Sequence, residues 1–346
     1  MKVAIVNTAV PFIYGGAEFL ADSLANELEN RGHLVQVYRI PFCWNPTKKI
    51  VESMMACRML DVSGADKVIA LKFPAYFINH PNKTLWLLHQ FRQVYDFEGT
   101  RYALEETPEN LEIKRAIISA DNELLSDKYV KHIYTNSKVV SDRLKKYNGF
   151  ESEVLYPPLM DAEKFYCGEC GDYIFYPSRI SHYKRQYLAV EAMRYVKSGV
   201  KLIIAGKGDS PADEDNIENL IKKYKLEDKV TYIKGFISQE YKAELFANSL
   251  GGIYIPYDED SYGYVTLEAY QSKKPVISCF DSGGTDVVVK DGLTGYMVES
   301  KAKALAEAMD KLYLDKSNAI KLGEDGFEHI REIGITWENV IERLLD

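Results

Sequence analysis

Three acids, Asp258, Glu259 and Asp260, follow the apolar run Gly251–Ile255 and Pro256, and Tyr262-Gly263-Tyr264 then leads into a helix-like segment that carries Glu268. Asp260 and Glu268 stand eight positions apart. A helix beginning near Gly263 puts Glu268 about one and a half turns in and leaves Asp260 in the feeding loop. Carboxylates here can serve simply as helix caps, which is the reading for Asp258. They also accept hydrogen bonds from hydroxyls, although they cannot hold phosphate. The turn amides of Tyr262, Gly263 and Tyr264 can take an anion. The set suits a ligand with hydroxyls at its ends and a diphosphate between them, the description of a nucleotide sugar.

Other loops add to this chemistry. In "YPSRISHYKRQ", Arg179 follows an apolar strand and Lys184 lies five positions on, before a helix. A guanidinium fork and an ammonium point charge together suit a diphosphate. His182 and Arg185 stand nearby, less constrained, and are left out of this group. In "NTAVPFIYGGAEF", Gly15 and Gly16 open a helix, which lets backbone approach a ligand and favours an anion. The pattern is not the dinucleotide G-x-G-x-x-G, and the next strand ends in Arg39 rather than an acid. In "WLLHQFRQVYD", His89 leads a polar and aromatic cluster with Gln90, Arg92, Tyr95 and Asp96. "IAGKGDS" reads as a tight turn walling the site, and Gly283-Gly284 marks another strand end.

These loops need a frame, and the chain supplies one. Strand-like runs such as "KVAIVN", "HLVQVYRI" and "KLIIAG" alternate with amphipathic segments such as "GGAEFLADSLANELENRG". Such alternation predicts parallel sheets flanked by helices. The pattern breaks over 148–166, around Pro157-Pro158, and restarts at "YIFYPSR". The predicted class is therefore α/β, with two Rossmann-like domains, 1–157 and 158–335. A closing amphipathic helix, 336–346, can pack on either. Ligands of open α/β sheets bind beyond the carboxyl ends of the strands, so two such domains are expected to face each other across a cleft.

Composition sets limits. The 346 residues suit two domains and carry a net charge of −8. Residues 1–157 balance 19 basic against 19 acidic side chains, and the excess acid lies beyond them. That distribution argues against a nucleic-acid surface. No run approaches the ~20 apolar residues of a membrane span, and the N-terminus reads as a strand rather than a signal peptide. The five cysteines are irregularly spaced, as in a reducing cytoplasm. Cys167-Gly-Glu-Cys170 is at most half a zinc site, so no metal is expected. The basic stretch "SKVVSDRLKKY", with Lys138, Arg143, Lys145 and Lys146, is more commonly a solvated helix face. Its other reading is peripheral contact with the inner face of the cytoplasmic membrane.

The ordered set "YGGAE", "TNSK", "YPP", "SRISHYKRQ", "IAGKGD", "DSYGYVTLEA", "DSGGTDVV" and "DGLTGYMV" resembles the retaining GT-B glycosyltransferases of family four and spans nearly the whole chain. The resemblance implies an N-terminal acceptor-binding domain and a C-terminal donor-binding domain. Arg179 and Lys184 match residues that hold the donor diphosphate. Glu268 matches the acid that binds ribose hydroxyls, and Asp260 the acid that faces the donor sugar and the reacting centre. The family usually has Glu at the first acidic position, so Glu259 is an alternative to Asp260. Tyr262, Gly263 and Tyr264 match the phosphate cradle, and Phe236-Ile237 the segment whose backbone reads the base. Gly15, Gly16, His89 and Arg92 fall on the acceptor and donor-sugar side.

The implied enzyme is a hexosyltransferase-type, metal-independent, cytoplasmic one. It would use a UDP- or GDP-sugar without a cofactor and act on a glycan or lipid-linked acceptor. A nucleotide-sugar epimerase, a phosphorylase and a non-catalytic sugar-nucleotide binder are the rival readings.

Overall fold

Near-continuous apolar strands need cover on both faces, and the chain provides it twice. The computed structural model describes residues 1–100, 103–259 and 261–346. These form two units, residues 1–160 with 336–346, and residues 161–335.

The first unit runs β1 (Lys2–Ala9), α1 (Gly16–Asn30), β2 (Leu34–Pro41), α2 (Lys48–Met59), β3 (Lys67–Ala70), β4 (Lys83–Leu87), α3 (Pro108–Leu124), β5 (His132–Thr135), α4 (Lys138–Asn148) and β6 (Glu153–Val154). Its strands pair in parallel in the order β2-β1-β3-β4-β5-β6. Alternate residues of β1 go to opposite cores. Val3 and Ile5 pack with Leu20, Leu24 and Leu28 of α1, while Ala4 and Val6 meet Val62, Ala75 and Ile78.

The second unit runs β7 (Tyr173–Pro177), α5 (Gln186–Ala192), β8 (Lys201–Gly206), α6 (Pro211–Tyr224), β9 (Val230–Lys234), α7 (Gln239–Ala247), β10 (Gly251–Ile253), α8 (Tyr264–Gln271), β11 (Val276–Cys279), β12 (Gly295–Val298), α9 (Ala302–Leu314) and α10 (Lys316–Glu332). Its parallel order is β12-β11-β10-β7-β8-β9. The last helix, α11 (Trp337–Leu345), returns to the first unit. There Val340, Ile341 and Leu344 join the α1 core, and the Trp337 indole N–H donates to the Leu159 carbonyl at 3.2 Å.

The strand order reverses between β1 and β3 in the first sheet and between β10 and β7 in the second. At such a reversal the loops leaving two neighbouring strands part in opposite directions and open a crevice. In the second unit those loops are 178–185 and 254–263, the two richest in candidate residues. Two local departures matter. The segment 185–196 reads as one helix in the sequence, yet α5 ends at Ala192 and Arg185 sits outside it with φ +55°. The aperiodic stretch before the second unit contains β6, only two residues long. Among the described residues no helix is long and apolar enough to cross a membrane.

Candidate active site

The loop after β10 is tied down on both sides. Arg185 donates from Nε to the Ile255 carbonyl at 2.7 Å and from Nη2 to the Pro256 carbonyl at 2.6 Å. Its two terminal nitrogens grip the Asp281 carboxylate at 2.8 Å each. That grip holds the Asp281 carboxyl below its usual range. Further on, the Gly284 amide donates to the Glu259 carbonyl at 3.0 Å. Gly283 has φ +70°, and a Cβ there would meet that carbonyl oxygen at 2.1 Å. Arg185 was expected to be the less constrained cation of its loop. It is instead buried and the most heavily bonded, because its left-handed backbone turns the side chain under the β10 loop.

Lys184 and Arg179 point elsewhere. The Lys184 ammonium lies 2.7 Å from the Tyr254 hydroxyl and 2.5 Å from Glu259 Oε2. Arg179, largely exposed, pairs with Asp209 at 3.0 Å. The buried Tyr254 hydroxyl joins these groups electrostatically. Burial raises its pKa far above the usual value and the Glu259 charge adds to this, while Arg179 opposes it and Glu268 adds more. Asp260 lies outside the described residues, whereas Glu259 is placed on Lys184.

Gly263 begins α8 with φ +72° and ψ 140°. A Cβ there would strike the Tyr254 ring at 2.3 Å, so the turn needs glycine for both conformation and space. Tyr262 is buried, and Tyr264 is the first residue of the helix. Glu268, the fifth residue of α8, is 4% exposed. Its Oε1 accepts from Lys242 Nζ at 2.5 Å, and its Oε2 is buried with no hydrogen-bond partner among the described residues. Lys242 was not singled out in the sequence. It stands on α7, 26 positions earlier, and no local spacing links it to Glu268. Phe236 is exposed and Ile237 half-buried, immediately before Ser238, the residue that caps α7.

The first unit holds the remaining candidates. Gly15 caps α1 and its amide donates to Glu18 Oε2 at 3.0 Å, while Glu18 Oε1 pairs with Lys72 at 3.0 Å. A Cβ at Gly16 would meet nothing within 4 Å. His89, half-buried, places Nδ1 at 2.8 Å from the Gln90 carbonyl. Arg92 pairs with Asp96 at 2.7 Å and lies over the Phe97 ring at 4.2 Å. Tyr95, from the same cluster, turns inward onto the buried Asp121. The basic helix α4 is largely matched by acids, through Lys138–Asp142, Arg143–Asp96 and Lys145–Glu151. That pairing is what a solvated face would show.

Two parallel α/β units of this kind make a GT-B fold. Sucrose-phosphate synthase from Thermosynechococcus elongatus shares it with a TM-score of 0.76 at 18% identity, over 99% of this chain and 97% of that one. HepE of Anabaena, in complex with UDP and glucose, gives 0.69 at 16%, over 99% of each. At those identities the likeness is one of fold.

Residues 168–329 match the family described as glycosyl transferases group 1. Alpha-1,3/1,6-mannosyltransferase ALG2 of Dictyostelium discoideum is 33% identical over 142 residues, 39% of this chain and 33% of that protein. D-inositol 3-phosphate glycosyltransferase of Corynebacterium glutamicum (strain R) is 29% identical over 134 residues, 38% of this chain and 31% of that protein. The matches thus span about a third of the length of these curated relatives.

Proposed function

We propose that the protein transfers a sugar from a nucleoside-diphosphate donor to an acceptor hydroxyl with retention at the anomeric carbon. The observation that carries this reading is Glu268, a buried carboxylate with one oxygen paired and the other unpartnered among the described residues. It stands beside the reversal in strand order where Arg179 and Lys184 enter. A hydroxyl is the donor such an oxygen lacks, and the two cations suit the diphosphate next to it. Arg179, Lys184 and the first turn of α8 would stabilise the charge that builds on the leaving diphosphate.

The base is uracil or guanine in this reading. UDP is bound by one fold neighbour, HepE. Relatives named as a mannosyltransferase and a D-inositol 3-phosphate glycosyltransferase agree with sugar transfer, and the acceptor in this reading is a glycoconjugate. Gly15, Gly16, His89 and Arg92 serve the acceptor and the donor sugar, and the first acidic role falls to Asp260 or Glu259. Because side chains and helix amides neutralise the diphosphate, transfer should proceed unchanged in EDTA.

A thermal-shift screen with UDP, GDP, ADP and their sugar conjugates tests the reading. A ligand at 100 times its Kd adds about 2.7 kcal/mol of stability. The expected result is one clear winner, whose sugar is then transferred by the wild type and not by Arg179→Ala. No shift with any nucleotide, or full turnover in that variant, would overturn it. Product analysis without acceptor separates an epimerase, and added inorganic phosphate separates a phosphorylase.

A further inference from the structure

We infer that Lys242 is a positioning residue for ribose recognition, aiming Glu268 at the hydroxyls of the donor nucleoside. The inference rests on the donor site proposed above and deepens it. A carboxylate as buried as Glu268 needs both oxygens satisfied. Lys242 serves only one, at 2.5 Å, and leaves Oε2 buried and unpartnered among the described residues.

The lysine is held so that it meets one oxygen. Its ammonium lies 6.0 Å from the centre of the Phe165 ring. Phe165 packs on Phe246 at 6.3 Å, and Phe246 on Phe175 of β7 at 4.9 Å. This aromatic cluster packs α7 against the strand that delivers Arg179. The ammonium therefore neutralises Glu268 from one side, and the free oxygen is left for a neutral donor such as a 2′- or 3′-hydroxyl. Phe236-Ile237 lead through the Ser238 cap directly into α7, so the stretch that would face the base and the lysine that orients the ribose acid are adjacent in the chain.

Calorimetric titration of UDP and GDP against their 2′,3′-dideoxy forms tests this on the full-length protein. The wild type should prefer the ribo form about 10- to 100-fold, the value of one or two hydroxyl–carboxylate bonds. Lys242→Met should shrink that preference below about threefold while leaving the dideoxy affinity in place, and Lys242→Arg should keep most of it. Melting curves report whether each variant is folded, and the Arg variant remains informative if the Met variant is not.

Equal weakening of both ligands in Lys242→Met, or an undiminished preference, would overturn the inference and leave the donor site standing. A wild type that binds the nucleotides without preferring ribose removes the role of Glu268 and the inference with it. A wild type that binds none of them removes the donor reading as well.

Discussion

Asp121 of the first unit and Glu268 of the second are both buried carboxylates, and the two are satisfied to different degrees. Asp121, on α3 and 0% exposed, receives the Tyr76 hydroxyl on Oδ1 at 2.8 Å and the Tyr95 hydroxyl on Oδ2 at 2.6 Å. Glu268 receives a partner on Oε1 alone. Burying a polar atom without a hydrogen bond costs free energy, so folding by itself favours the first arrangement. The half-satisfied acid is the one beside the reversal in strand order. A buried acid with both oxygens bonded serves the architecture, and in the proposed reading the oxygen left over on Glu268 is the one that receives a ligand hydroxyl.

The largest effect should separate the two acids by what fails. Glu268→Ala is expected to lower kcat/KM for the donor about 10²–10³-fold, the loss typical of a removed polar anchor. Its unfolding free energy should stay within about 1 kcal/mol of wild type, because the deleted acid was incompletely paired and Lys242 can reach water. Asp121→Ala should do the reverse. Two buried tyrosine hydroxyls lose their acceptor, at a cost of about 1–3 kcal/mol, and donor KM stays put. Urea unfolding alongside steady-state kinetics checks both. An Asp121 variant that loses donor affinity, or a Glu268 variant that simply unfolds, would erase the distinction.

The pH response sharpens it further. Burial raises the Asp121 carboxyl to about 7, and the bonds from Tyr95 and Tyr76 hold it from going higher. An unfolded aspartate titrates near ~3.9. Between those values the folded chain keeps a proton that the unfolded chain releases, so stability falls as pH rises from about 4 to about 7 and levels off above. Asp121→Asn should flatten that part of the curve. Denaturation at pH 5 and pH 7.5 in both proteins gives the answer, and identical slopes would mean that Asp121 is charged in the fold.

These acids also show what a sequence reveals. The place of Glu268 on its helix was legible because its spacing from the turn glycine lies within one helix. The alternation of strands and helices was legible because strands buried on both faces are apolar throughout. Asp121 gave no signal, since the tyrosines that satisfy it are 45 and 26 positions away. Tyr95 looked like part of a reactive cluster and proved to be an internal partner of that acid. In "SRISHYKR" the cations look alike. Burial selects Arg185 for structure through Asp281, 96 positions on, and leaves Lys184 and Arg179 facing acids on neighbouring loops. Long-range pairs of this kind are settled by loop conformation, which local spacing does not encode.

The smallest expected effect concerns Glu259, the third acid in the comparison and the only one of the three that is substantially exposed. Its carboxylate sits 2.5 Å from Lys184, with side chains 35% and 13% accessible. Its backbone is stitched to Gly284, so the side chain alone is free to swing. In the proposed donor site, a diphosphate arriving at Lys184 would meet an anion already there and have to share or displace it. Glu259→Gln removes that competitor, and a half-exposed pair is worth up to about 1 kcal/mol, so UDP or GDP should bind about two- to fivefold more tightly. The parent nucleoside, which lacks the phosphates, should bind as before. Calorimetry on nucleoside and diphosphate reads the difference. If Glu259 instead faces the donor sugar, the diphosphate affinity stays unchanged and only turnover of the sugar conjugate falls. Glu259 would then stand with Glu268 as an acid kept for substrate rather than with Asp121 as one kept for the fold.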